Sequence, residues 1–109
     1  MLVKVIKKNR FTKARGGSSK LLVLSCAKCG NEIVNYQKDG IGTLLRLYLD
    51  RIRGPRELLN SIESVHEKST MPNLVCDHCS ALIGVPMIYE VENRLAFRLI
   101  RGSFSKKTL

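Results

Sequence analysis

Four cysteines in two Cys-x-x-Cys pairs constrain this chain more than any other feature. "SCAKCGNEIV" carries Cys26 and Cys29, followed by Gly30, and "LVCDHCSALIGVP" carries Cys76 and Cys79. No cysteine stands outside these pairs. A Cys-x-x-Cys turn aims both sulfurs at one point, and glycine after the second cysteine suits a conformation costly for other residues. Two such turns match the four-sulfur tetrahedral set of a structural zinc site, so Cys26, Cys29, Cys76 and Cys79 are read as ligands of one Zn²⁺. Iron accepts the same ligands, but zinc is the commoner occupant of a closed site. A redox pair of the thioredoxin type opens a helix, whereas both pairs here lie between strand-like runs. His78 sits inside the second turn and is read as solvent-facing. His66 is read as a partner of a helix C-terminus.

The spacing sets the scale of the fold. Cys29 and Cys76 are separated by 46 residues, against roughly 15–20 in a simple zinc ribbon. The insert must therefore be much of the domain. With 109 residues in all, the chain reads as a single zinc-binding domain over 1–109, small enough to benefit from a metal staple. It has no tryptophan and few aromatics, so the core is expected to be aliphatic.

Period-two patterning supplies the sheet. Residues 2–6 read as a short strand, "LLVLSC" delivers Cys26, and "NEIVNYQKDG" leaves the first turn as a strand ending at Asp39-Gly40. In "TLLRLYLDRI", Leu45, Leu47 and Leu49 alternate with Arg46, Tyr48 and Asp50, giving another strand. "GPRELLNSIESVHEK" is the one clear helix, with Pro55 at its first position, Glu57 at its positive end and Leu58, Leu59, Ile62 and Val65 on one face. "MIYEV" and "RLAFRLI" form a final hairpin around Glu92-Asn93. The stretch 7–20, rich in Lys and Arg and free of acids, reads as a flexible basic loop; 103–109 reads as a loose tail. The predicted class is mainly β with one short helix: a small zinc-stabilised antiparallel sheet domain, β-tent-like or zinc-ribbon-like, with two knuckles.

"CDHCSALIG" and "CAKCG" resemble the paired signatures of the β-tent zinc domains, which include type B methionine sulfoxide reductases, the Yippee proteins and the ligand-binding domain of cereblon. "NYQKDGIGTLLRLY" is loosely similar to the Gly-Thr-Gly stretch of the reductases. The resemblance implies a β-tent fold. It does not carry over the reductase activity: Ala96 and Phe97 stand on the strand where those enzymes use a further cysteine, and Val85 and Pro86 stand in the region of their histidines.

The formal net charge is +10 with cysteines as thiols. Four thiolates on a divalent cation add two negative charges, leaving the loaded chain near about +8. A basic protein of this kind suits an anionic partner. The expected function is a non-catalytic zinc-stabilised binding module for nucleic acid, RNA favoured, or a ribonucleoprotein surface. Lys7, Lys8, Arg10, Lys13, Arg15 and Lys20 would follow phosphates, joined by Arg46, Arg51 and Arg53, with Phe11 available to stack on a base. The alternatives are a β-tent pocket, lined by "KDGIG" and the last hairpin, for a small molecule or peptide, and a protein-interaction adaptor with a structural zinc. Catalysis is not expected: four cysteines close the metal site, and the chain has no Gly-x-Ser-x-Gly, Walker loop or His-Glu-x-x-His. The absence of a signal-type or membrane-spanning apolar run leads to a cytoplasmic expectation.

Overall fold

A computed structural model describes residues 9–109. The strand expected at 2–6, and Lys7 and Lys8, lie outside the described residues.

Each cysteine pair forms the turn of a hairpin. Strand β1 (Ser19–Cys26) runs into the first turn and β2 (Glu32–Asp39) runs out of it, pairing antiparallel with Leu22 opposite Tyr36 and Leu24 opposite Val34. All four of these side chains are buried. From β2 the chain crosses to β3 (Arg46–Tyr48), returns through a 3-10 turn at Leu49–Arg51, and forms β4 (Ile52–Gly54) on the outer edge of β2. A short helix follows. Then β5 (Leu74–Val75) enters the second turn and β6 (Leu82–Tyr89) leaves it, and β7 (Arg94–Leu99) pairs with β6. The last strand, β8 (Phe104–Thr108), adds to the free edge of β1.

The result is two four-stranded antiparallel sheets, ordered β4-β2-β1-β8 and β3-β7-β6-β5. Leu22, Leu24, Val34 and Tyr36 of the first join Leu47, Ile83, Phe97 and Leu99 of the second in one core. Each such side chain contributes roughly 1.5–3 kcal/mol when fully buried. Close packing also explains Gly84, where a Cβ would lie 3.1 Å from the Cβ of Phe97 and 3.3 Å from the carbonyl of Arg98.

Four expectations are corrected. The basic stretch 7–20 contains helix α1 (Arg10–Ala14), and β1 begins within it at Ser19. Reciprocal capping favours the helix: Asn9 Oδ1 accepts from the Phe11 N–H at 3.0 Å and Thr12 Oγ1 from the Asn9 N–H at 3.3 Å. The tail is β8, with Cys26 opposite Phe104 and Leu22 opposite Thr108. Its lysines suit an edge strand and mask it from an apolar-period reading. The strand expected through Leu49 and Asp50 breaks after Tyr48 into a 3-10 turn over Leu49–Arg51, which leaves Arg51 buried. Helix α2 (Arg56–Ile62) has Pro55 at its N-cap and ends four residues before His66, so His66 does not cap it.

At the ends of β2 and β6 far from the cysteines, the sheets are tied by charge. Arg51 Nε lies 2.8 Å from Asp39 Oδ2, and its Nη2 donates to Asn9 Oδ1 at 2.6 Å. Arg94 lies 2.6 Å from Asp50 and 2.9 Å from Glu92, and Arg15 grips Glu92 through both of its terminal nitrogens at 2.8 and 2.9 Å. The Arg94 guanidinium is stacked between Phe11 and Tyr48, 3.9 and 3.7 Å from their ring centres. Three arginines thus meet three acids. The Glu92 carboxyl is held below its usual range by the Arg15 hydrogen bond, against the effect of burial. Burial pushes the Asp39 carboxyl up, but hydrogen bonds from Gln37, Ser19 and Arg51 hold it below its usual range.

Removing one partner of a buried pair strands the other charge. Arg51→Met should therefore cost about 3–5 kcal/mol in chemical denaturation. Both carboxyls have depressed folded pKa values, so their contribution is complete above the ordinary carboxylate range, about pH 4, and is lost as pH falls through the folded values. Asp39→Asn should flatten the fall in stability below about pH 4; an unchanged acid slope would show that Asp39 does not carry it.

Candidate metal centre and cationic cleft

The two turns are built alike. In the first, the Gly30 N–H donates to the Cys26 carbonyl at 2.8 Å and the Cys26 N–H to the Asn31 carbonyl at 2.8 Å. In the second, the Ser80 N–H donates to the Cys76 carbonyl at 2.7 Å and the Cys76 N–H to the Ala81 carbonyl at 2.9 Å. Gly30 has φ +80° and Ser80 has φ +66°. The same left-handed position is thus filled by glycine once and by serine once, at some cost for serine. Asn31 Nδ2 bridges the turns by donating to Asp77 Oδ1 at 3.1 Å.

These turns bring four sulfurs together. Cys26 Sγ lies 3.6 Å from Cys79 Sγ, and Cys29 Sγ lies 3.6 Å from Cys76 Sγ. All four lie within 4.8 Å of one another. A tetrahedron with metal–sulfur bonds of 2.3 Å has edges of about 3.8 Å, so the four thiols fit the coordination shell of a metal ion. The Cys29 backbone N–H draws the Cys26 thiol down to about 7, with help from Lys28. The Cys79 backbone N–H lowers Cys76 in the same way. For Cys29 the Asn31 N–H pulls downward, but burial and the crowding of Cys76, Cys79 and Cys26 push it up to about 12. The turns favour thiolates, and the crowding opposes a full set of them without a cation. The histidines take no part: the metal-ligating cluster among the described residues consists of these cysteines.

At the other end, a cleft of about 280 Å³ lies where β2 turns toward β3. "KDGIG" lines it, as the pocket reading expects, but the last hairpin does not; Arg15, Tyr36, Thr43, Arg46 and Tyr48 form the rest of its polar wall. Lys20 stands directly opposite Lys38 in the β1–β2 register. Burial lowers the Lys38 ammonium pKa, and Lys106, Lys20 and Arg15 add to the effect.

The basic residues chosen from sequence divide into two groups. Arg10, Lys13 and Lys20 are exposed, and Arg46 and Arg53 are half-buried. Arg51 is 1% exposed and serves the ion network, so it is not a surface contact. Arg15 is committed to Glu92. Phe11 is covered by Arg94, with Arg10 also 4.7 Å from its ring centre, so it is not a free stacking platform. Lys38, Lys106 and Tyr48 were not singled out from sequence. The signal for Lys38 was its place beside the Asp39-Gly40 turn; Lys106 became visible only once β8 was paired.

Elemental analysis of the purified protein should give about one metal ion per chain. Replacing Cys26 or Cys76 with serine should abolish that stoichiometry and lower the melting temperature by about 10 °C or more. Melting unchanged by both substitutions and by chelation would show that the cysteines hold no structural metal. No family model, no curated protein and no solved structure matches this chain.

Proposed function

We propose that this protein is a non-catalytic, zinc-stabilised binding module for nucleic acid, RNA favoured. The observation that carries the reading is a cation group left over after the internal ion pairs are made. Arg15, Arg51 and Arg94 are balanced by Asp39, Asp50 and Glu92. Lys20, Lys38, Arg46 and Lys106 make no ion pair among the described residues. Like charges directly opposite on paired strands are destabilising, and Lys20 and Lys38 are such a pair. A polyanion relieves that repulsion, and point charges suffice to follow a phosphate backbone.

The metal has a structural part in this reading. Four thiolates leave no open coordination position for activating water. Zinc suits four thiolates in a closed tetrahedral site. A second reading, a pocket for a small ligand, is favoured by the cleft at Lys38–Gly42.

Binding of a short single-stranded RNA, followed by fluorescence anisotropy at several salt concentrations, tests the first reading. Replacing Lys20 and Lys106 together with glutamine should reduce the slope of log K against log salt by about 1.4, from roughly 0.7 per lost contact. Melting should change little, since both side chains are exposed. No RNA or DNA binding below about 10 µM at low salt would overturn the nucleic-acid reading.

A further inference from the structure

The cleft beside this cation group has the chemistry of an anion site. Lys38 and Arg46 line it without an acidic ion-pair partner among the described residues; Lys38 Nζ donates to the Gly40 carbonyl at 2.8 Å, and the carboxylate in the wall, Asp39, is paired with Arg51. Tyr48 adds a more specific signal. It is 6% exposed, and its oxygen accepts two hydrogen bonds, from Arg15 Nη2 at 2.7 Å and Arg46 Nη1 at 3.1 Å. A phenol hydroxyl both accepts and donates one hydrogen through its O–H. Tyr48 thus has its acceptor capacity filled, and its hydroxyl proton has no acceptor among the described residues. A buried donor in that state is costly unless something accepts from it. The partner it lacks is an oxygen with lone pairs to offer, and the neighbouring cations require that oxygen to be anionic.

Size and lining narrow the class. Ligand pockets run from roughly 300 Å³ upward, so about 280 Å³ suits an anionic group with one small organic body and is too small for several nucleotides. Ile41, Leu44 and Leu45 supply an apolar side to the same cleft. Ile41 is 91% exposed and Leu45 58%, so apolar surface at the mouth is open to cover that body. Two cations match a phosphate monoester, which carries about −1.5 to −2 at pH 7, better than an internal phosphodiester.

We infer that this cleft binds a phosphate monoester with an attached organic body, Lys38 and Arg46 meeting the phosphate oxygens and the Tyr48 hydroxyl donating to one of them. The monoester is the terminal phosphate of a nucleic-acid strand or a free mononucleotide. Only the first source rests on the nucleic-acid reading above; the cleft itself does not. The lowered pKa of Lys38, from burial and then from Lys106, Lys20 and Arg15, is consistent with a site that gains from an added anion.

Calorimetric titration of the metal-loaded protein at low salt tests this with adenosine 5′-monophosphate, adenosine, and a short RNA bearing either a 5′-phosphate or a 5′-hydroxyl. The monophosphate should bind about tenfold or more tighter than adenosine. Lys38→Gln and Arg46→Gln should each weaken it about fivefold or more. Lys68→Gln removes the same charge from an exposed residue that does not line the cleft and should leave binding unchanged. Melting curves keep loss of folding apart from loss of contact. A preference for the 5′-phosphorylated RNA that both cleft variants lose supports the cleft and identifies a strand end as the source. Binding of the mononucleotide with no RNA binding supports the cleft and overturns the nucleic-acid reading. RNA that binds equally with either end, together with a monophosphate no tighter than adenosine, overturns the cleft and leaves the nucleic-acid reading standing. Monophosphate binding that both folded cleft variants retain in full also overturns it.

Discussion

Everything in this fold depends on where four sulfur atoms can meet. Each Cys-x-x-Cys turn closes a hairpin, and the two hairpins belong to different sheets. Bringing Cys26 to Cys79 and Cys29 to Cys76 therefore joins the sheets at one end. Backbone N–H groups prepare thiolates at Cys26 and Cys76, while crowding raises Cys29. A cation resolves that conflict. Metal binding in small four-ligand sites is worth about 10–16 kcal/mol, comparable with the entire stability of an ordinary domain, about 5–15 kcal/mol. A chain of this size with an aliphatic core has reason to rely on it.

The other end uses a different device. From Glu32 to Asp39, β2 carries the chain about 23 Å from the knuckle at strand rise. There Arg51 and Arg94 are buried among acids and aromatic rings. Burying such pairs costs desolvation, so breaking one destabilises more than the intact pair stabilises. Their functional consequence is a division of labour among basic residues. The arginines that balance Asp39, Asp50 and Glu92 are internal structure, and among the cations left without an ion pair, Lys38 and Arg46 line the cleft while Lys20 faces Lys38 across β1 and β2. A net charge of +10 says nothing of this division.

How far the sequence could be read follows the same physics. The knuckles were legible because metal ligation leaves a fixed spacing, and β1, β2, β6 and β7 because one buried face leaves a period of two. Strand β8 was not legible: its Ser105, Lys106 and Lys107 are an exposed edge held by backbone bonds to β1. Helix α1 was hidden by basic composition, since its support is the Asn9–Thr12 cap and the reach of Arg51 from 42 residues away. Arg51 itself looked like a surface cation because of its charge, although the alternation of Leu45, Leu47 and Leu49 continues to residue 51 on the apolar side, where the structure buries it. The cleft's wall was half legible: "KDGIG" is contiguous, whereas Tyr48, Arg46 and Arg15 meet there through tertiary structure.

The central claim is that the cysteine cluster couples the two sheets and does not merely tidy two turns. Amide hydrogen exchange, read residue by residue with metal bound and after chelation, tests it most directly. The account predicts that chelation removes protection across both sheets together, including Leu22, Leu24 and Tyr36 in one and Ile83 and Phe97 in the other. Loss of protection confined to residues 26–31 and 76–81, with both sheets still protected, would contradict it.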